Sequence, residues 1–235
     1  MQLTSKDIAR MMDLSAVQAQ STADDIKKVA NCAIEHNCVC TFALPAFTPM
    51  LVELLEDYPD ISVGGVIGFP SGCETTEIKI AQAKQLISAG CDELDMVLNI
   101  GMLCSNMLDE VKEDIEAVKK VAGEVTLKVI FECHHLTDEQ IIAACNICAE
   151  VGVAWVKTGT GWAPTGATLA NIALMKQTVG DACQVKGAGG IRDLETLVEM
   201  YRRGARRFGI GVASAEKILS QAANKTIEIP EYSAL

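Results

Sequence analysis

Five glycines constrain this chain more than any other feature. Gly90, Gly123, Gly152, Gly180 and Gly204 each close an amphipathic stretch and precede a short apolar run, the place a helix C-terminal glycine takes. Each therefore marks a helix turning into a strand. The helices are signed at their starts as well. Ile26, Val29, Ala30, Ala33 and Ile34 repeat at helical spacing behind Thr22, with Asp24 and Asp25 in the first turn where the dipole favours acids. Val111, Ile115, Val118 and Ala122 repeat in the same way, and Thr137 with Gln140 forms a capping-box pattern before Ile141.

Eight candidate strands lie between the helices: 10–14, 38–43, 62–67, 93–97, 127–131, 154–158, 184–187 and 206–210. Alternating strands and helices imply right-handed parallel βαβ units, and eight of them in 235 residues imply an α/β fold, a closed (β/α)8 TIM barrel. A doubly wound open sheet would want a Gly-rich turn after its first strand, and none stands there. The expected organisation is a single domain over 1–235, with a short N-terminal helix and a C-terminal tail from about residue 222. With 49% hydrophobic but only 4% aromatic residues, the core must be built from aliphatic side chains, which suits buried parallel strands.

A net charge of -11 argues against a nucleic-acid partner, since phosphate-backbone affinity needs clustered Lys and Arg. No apolar run approaches the roughly 18 residues of a membrane span, and Met1 to Asp7 does not read as a signal peptide, so the expectation is a soluble, cytoplasmic protein away from membranes. The ten cysteines then read as reduced, small apolar packing groups. His134 and His135, adjacent on an extended segment, would point to opposite faces and not share an ion. No metal and no cofactor are expected.

The glycine beat also positions charge. Asp95, Lys128 and Lys157 each lie five residues past a helix-ending glycine, and Lys186 lies six past Gly180. Four successive strands thus carry a charged residue at nearly one height, and a solvated face cannot explain charges inside Leu94-Asp95-Met96 or Leu127-Lys128-Val129. In a barrel they would meet toward the C-terminal mouth, where barrel enzymes keep their active sites. Lys157 ends the apolar run Ala154-Trp155-Val156. Burial and a neighbouring cation both favour a neutral amine, which can attack a carbonyl and form an imine. A buried structural ion-pair cluster is the competing reading, although such clusters seldom stabilise a fold. Past the last three strands lie the turns Thr158 to Gly161, Gly187 to Arg192 and Gly209 to Gly211, whose bare glycines let backbone N–H groups approach an anion.

These residues carry a resemblance. Asp92 to Gly101, Val156 to Trp162 with Gly166-Ala167-Thr168, and Val185 to Arg192, together with Val66 to Pro70, Gly72 and Met12-Asp13-Leu14, resemble deoxyribose-phosphate aldolases in order along nearly the whole chain. The resemblance implies a metal-independent class I aldolase acting on a small sugar phosphate and aldehydes, and a barrel that forms a homodimer or homotetramer. Lys157 would form the Schiff base, Lys186 would lower its pKa, Asp95 with a water would shuttle protons, and Lys128 would order the network. The substrate and its phosphate would be held by Thr158, Thr160, Gly161, Gly189, Gly190, Arg192, Gly209 and Gly211, with Asp13 and the tail residue Tyr232 as further candidates.

The chain departs from that family's pattern at identifiable places. Gly159 stands where the family usually has Ser, and Gly187-Ala188 opens its loop differently. Gly211-Val212 replaces a serine pair, and Phe42 and Leu44 replace a cysteine and a polar residue. The amine chemistry is untouched by these changes, whereas weakened phosphate discrimination is the expectation they raise. The alternatives are a related Schiff-base lyase acting on another or unphosphorylated deoxy sugar, a catalytically silent sugar-phosphate-binding barrel, and a cysteine-based redox or metal protein.

Overall fold

Side-chain caps start the helices where the sequence signals them. Thr22 caps Ala23–His36 and Thr137 caps Asp138–Val151, each through a reciprocal capping box with Asp25 or Gln140. The structure, a computed structural model, describes residues 2–229. Its elements in chain order are β1 (Gln2–Leu3), α1 (Ser5–Ala9), β2 (Met12–Ala16), α2 (Ala23–His36), β3 (Cys40–Ala43), α3 (Thr48–Leu55), β4 (Ser62–Ile67), α4 (Thr76–Ser88) and β5 (Glu93–Val97). There follow α5 (Ile100–Cys104), α6 (Leu108–Ala122), β6 (Thr126–Ile130), α7 (Asp138–Val151), β7 (Trp155–Lys157), α8 (Leu169–Val179), β8 (Gln184–Ala188), α9 (Leu194–Arg202), β9 (Ala205–Ile210), α10 (Val212–Ala222) and β10 (Ile227–Glu228).

Strands β2 to β9 close into a barrel in sequence order, every neighbouring pair parallel. The expected (β/α)8 TIM barrel is therefore present. All five punctuating glycines adopt positive φ, which an L side chain resists at such a turn. The first barrel strand starts two residues later than the expected Arg10, because Arg10 is the C-cap of α1. Its N–H closes onto the Lys6 carbonyl, and its guanidinium ties down the carbonyls of Cys38 and Asp60 at 3.1 and 2.8 Å. Outside the barrel, β1 pairs antiparallel with β10, which sets the strand after α10 beside the strand before α1. Tyr232 lies outside the described residues.

The pairing register sorts the inward side chains into layers. Strands of such a barrel are staggered by about one residue each, so residues sharing a layer come from alternate strands. The lowest layer holds Cys40, Glu93, Trp155 and Arg207, and the middle layer holds Asp13, Gly64, Lys128 and Lys186. The upper layer holds Phe42, Asp95, Lys157 and Gly209. This corrects the expectation of a common height. Asp95 and Lys157 are level, while Lys128 and Lys186 lie one layer lower, because the stagger shifts strands that equal glycine offsets would place together.

Gly64 is the small member that lets the layers interlock. A Cβ there would stand 2.1 Å from the edge of the Phe42 ring. Gly64→Ala is expected to lower the stability to urea unfolding by about 1–3 kcal/mol, the usual range for overpacking a rigid interior. An unchanged midpoint would show that Phe42 can yield.

Candidate active site

Lys157 ends β7 on the barrel's inner face, and three residues of other strands fix where its amine sits. Asp95 of β5 accepts hydrogen bonds from Lys157 Nζ and Lys186 Nζ at its Oδ2, both at 2.7 Å, and from Lys128 Nζ at its Oδ1 at 3.0 Å. One wholly buried carboxylate thus joins the three amines that the sequence singled out. Phe42 lies under the same amines, its ring centroid 4.4 Å from Lys186 Nζ, 5.0 Å from Lys128 Nζ and 5.7 Å from Lys157 Nζ. These separations are within the range where a ring face attracts a cation.

A second set of ion pairs supports the first from below. Asp13 Oδ2 stands 2.5 Å from Lys186 Nζ, and Asp13 Oδ1 accepts from Arg207 Nε at 2.7 Å. Arg207 also donates to Glu93 at 2.9 Å, and Glu93 pairs with Lys128. The network therefore sets four cationic side chains (Lys128, Lys157, Lys186 and Arg207) against three carboxylates (Asp13, Glu93 and Asp95). It is electrically balanced only when one amine is neutral.

The electrostatics select Lys157 as that amine. Burial is the main cause that lowers its pKa, to about 8, aided by the Lys186 ammonium and opposed by Asp95. For Lys128, burial pulls the same way, but the carboxylates of Asp95 and Asp13 outweigh it and hold the amine well above the ordinary lysine range. Burial would raise Asp95, yet Lys128, Lys157 and Lys186 hold it well below the usual carboxylate range. Lys186 does act as a neighbouring cation, as expected, but desolvation is the larger cause of the Lys157 shift.

Above the amines opens a cavity of about 440 Å³. Lys157, Lys186, Asp13 and Phe42 line its floor, and Thr160, Gly161, Gly189, Gly190, Arg192, Gly209 and Gly211 line its walls. Gly189 and Gly190 both take positive φ, and α10 begins at Gly211 with no side-chain cap, so its N-terminus opens at the cavity wall. Three of the expected site residues do not line the cavity. Asp95 and Lys128 are fully buried in the network, and Thr158 is turned to the backbone: its hydroxyl donates to the Ala188 carbonyl at 3.1 Å and accepts from the Ala188 N–H at 2.9 Å. Thr158 thus staples β7 to β8 rather than facing a ligand.

Sequence reasoning passed over Arg207 and Glu93, although Glu93 shares a strand face with Asp95 and alternation could have found it. It also missed Ser15 and Lys28, which line the cavity beside α2. Burial pushes the thiols of Cys38, Cys91 and Cys133 up to about 12, so these behave as packing groups. Among the described residues, no group of three or more His, Cys, Asp or Glu side chains is arranged to hold a metal ion, and no helix is long and apolar enough to cross a membrane.

Comparison with known proteins places this geometry in context. A family model described as DeoC/LacD family aldolase matches residues 8–221. The deoxyribose-phosphate aldolase of Klebsiella pneumoniae is 42% identical over 233 residues, 98% of this chain and 94% of that protein. The deoxyribose-phosphate aldolase of Thermococcus kodakarensis is 40% identical, covering 94% of this chain and 99% of that protein. Among solved structures, a tetrameric deoxyribose phosphate aldolase from Aeropyrum pernix superposes with a TM-score of 0.85 at 25% identity, over 94% of this chain and 93% of that one.

The Lys157 shift has a kinetic signature. The neutral amine is the species that attacks a carbonyl, and its fraction rises as pH climbs through about 8. Hydride trapping of a simple aldehyde on Lys157 should therefore accelerate by about tenfold per pH unit below that point and level off above it. Acceleration that continues toward the ordinary lysine value of 10.5 would show that the site does not neutralise the amine.

Proposed function

The chain belongs to the DeoC/LacD family of aldolases, and from that premise we propose that it cleaves 2-deoxyribose 5-phosphate reversibly into acetaldehyde and glyceraldehyde 3-phosphate through an imine on Lys157. The observation that carries this reading is the amine of Lys157, depressed toward neutrality, bonded to Asp95 on the floor of a cavity whose wall is a glycine-rich anion cradle.

In this reading the neutral Lys157 Nζ attacks the aldehyde carbon of the open-chain sugar, and loss of water leaves an iminium. The iminium draws the electron pair of the bond between carbons 2 and 3 as the hydroxyl on carbon 3 gives up its proton. Glyceraldehyde 3-phosphate leaves, and the enamine that remains is protonated and hydrolysed to acetaldehyde. Asp95 is held too far below the usual carboxylate range to be a strong base on its own. Its part is to carry protons between Lys186, which is hydrogen-bonded to the same oxygen as Lys157, and water at the reacting hydroxyl. Lys128 and Arg207 keep Asp95 and Asp13 ionised and fixed.

The phosphate is assigned to the cradle. Loss of a serine pair at Gly211-Val212 removes hydroxyl donors, but the N-terminus of α10 still faces the cavity there, beside Gly189, Gly190 and the cationic side chains of Arg192 and Lys28. Assembly as a homodimer or homotetramer belongs to the same proposal, by analogy with the Aeropyrum pernix tetramer.

Two measurements test this function. Lys157→Met should lower kcat for deoxyribose 5-phosphate cleavage by several orders of magnitude while leaving the melting transition in place, as removal of a covalent nucleophile does; a silent binding barrel would lose nothing. The phosphate ester should exceed free deoxyribose in kcat/KM by at least about tenfold, since each charge-assisted hydrogen bond contributes about 1.5–3 kcal/mol. Comparable values would mean that the lost hydroxyls, rather than the remaining N–H groups, decided phosphate binding.

A further inference from the structure

Arg207 and Glu93 sit in the lowest layer of the barrel, and neither lines the amine cavity. The Arg207 guanidinium lies over the Trp155 ring of the same layer, 5.5 Å from its centroid. Two chains of ion pairs nevertheless run from it to the upper layer. One passes through Asp13, 2.5 Å from Arg207 Nη2, to Lys186 and then to Asp95 Oδ2. The other passes through Glu93, at 2.9 Å, to Lys128 and then to Asp95 Oδ1. Both end on the carboxylate that holds Lys157.

Charge around Lys157 can be followed strand by strand. Asp13 comes from β2, Glu93 and Asp95 from β5, Lys128 from β6, Lys186 from β8 and Arg207 from β9, whereas β4 contributes Gly64. Burial pushes the Cys40 thiol of β3 well up, so it adds no charge. Above the floor, Lys28 is paired with Asp25 on α2, Arg192 stands at the cavity wall beyond β8, and Glu132, beyond β6, is bonded to Thr160. Arg207 is the one cation of the network that cannot yield, because a guanidinium does not deprotonate in proteins. Burial would lower its pKa, yet Asp13 and Glu93 hold it higher still. Any proton the network sheds must therefore leave an amine. Lys128 and Lys186 each lie within ion-pair distance of at least two carboxylates, and Lys157 of Asp95 alone.

We propose that Arg207 and Glu93 are positioning residues that set the protonation of Lys157 from the far end of the barrel, Arg207 by supplying the cation in excess and Glu93 by limiting that excess to one. The inference rests on the aldolase reading, in which Lys157 must be neutral to attack. Without Arg207, three amines face three carboxylates, and Lys157 keeps its proton. Without the charge of Glu93, four cations face two carboxylates, and the amine with the least support loses its proton more readily. With both removed, three cations face two carboxylates and the original excess of one returns.

The test reads the neutral fraction of Lys157 by trace acetylation of the full-length protein with acetic anhydride across pH, followed at that residue by mass spectrometry. An amine is acylated only when neutral, so the midpoint of labelling is the pH at which Lys157 gives up its proton. Arg207→Met should move that midpoint up by about one pH unit, and the isosteric Glu93→Gln should move it down by about as much, the low end of the range of about 1–3 that a charge in contact produces. The double variant should return to the wild-type midpoint. Lost packing alone gives neither shifts of opposite sign nor their cancellation. An unmoved midpoint in either single variant, two shifts of one sign, or a double variant that does not return would overturn the proposal. Where Arg207→Met does not fold, Glu93→Gln decides alone: a lowered midpoint supports the proposal and an unmoved one overturns it. The aldolase reading fails separately, by the absence of a reduced acetaldehyde adduct on wild-type Lys157, whatever the labelling midpoints are.

Discussion

The shared carboxylate of Asp95 is the interaction from which the rest of the site follows. Its two oxygens bridge two layers of the barrel, Oδ1 to Lys128 in the middle layer and Oδ2 to Lys186 in that layer and Lys157 in the upper one. Remove it and four cations would face only Asp13 and Glu93 in an interior that burial makes hostile to charge. With it, three carboxylates balance three of the cations, and the fourth is the one that holds its proton least tightly. The amine that does so is the one with a single carboxylate neighbour within ion-pair distance, at the cavity floor. Position in the layers therefore selects the amine that is neutralised most easily.

The barrel has made room for that arrangement by omitting side chains. Three lysines, a phenylalanine and two aspartates share the middle and upper layers, eight inward positions in all, and they fit only because the other two are empty. Gly64 and Gly209 are the vacated positions. A Cβ on Gly64 would enter the Phe42 ring, and one on Gly209 would stand 2.9 Å from the Ala188 Cβ. Phe42 exploits the vacancy to lie against all three amines. Its face lies nearest to Lys186 and farthest from Lys157, and Asp13 likewise pairs with Lys186.

Much of this was legible in the sequence because it is local. Glycines that end helices, caps that start them and charges stranded in apolar runs need no tertiary information, and they sufficed for eight strands and for Asp95, Lys128, Lys157 and Lys186. What needs the barrel itself was not legible. Stagger between strands is a property of closure, so equal offsets from Gly123 and Gly152 put Lys128 and Lys157 in different layers. Facing is similar: in Arg206-Arg207 one side chain points out and the other in, and only the register with β8 and β2 says which. Thr158 is a further case: it follows an inward lysine, and its bonds to Ala188 of β8 are visible only in the folded chain. Gly159 was visible as a departure from the family pattern but unexplained until Glu132 was seen in the space its side chain would need.

Charge sorting also bears on how, in the proposed reaction, a protein of net charge -11 would orient an anionic sugar. Long-range attraction is unavailable, because the overall field repels phosphate and salt screens beyond roughly 8 Å. The buried network does not supply it either: with Lys157 neutral its charges cancel, so the floor of the cavity presents an amine and a balanced cluster rather than a sink for anions. Donors and positive charge remain at the rim, in the N-terminus of α10, the Gly189-Gly190 turn and Arg192, with Lys28 there paired to Asp25. A phosphate is thus best held at the rim and an uncharged carbonyl at the floor. In the proposed reaction, the neutrality that would make Lys157 a nucleophile would also keep the phosphate end of the sugar away from it.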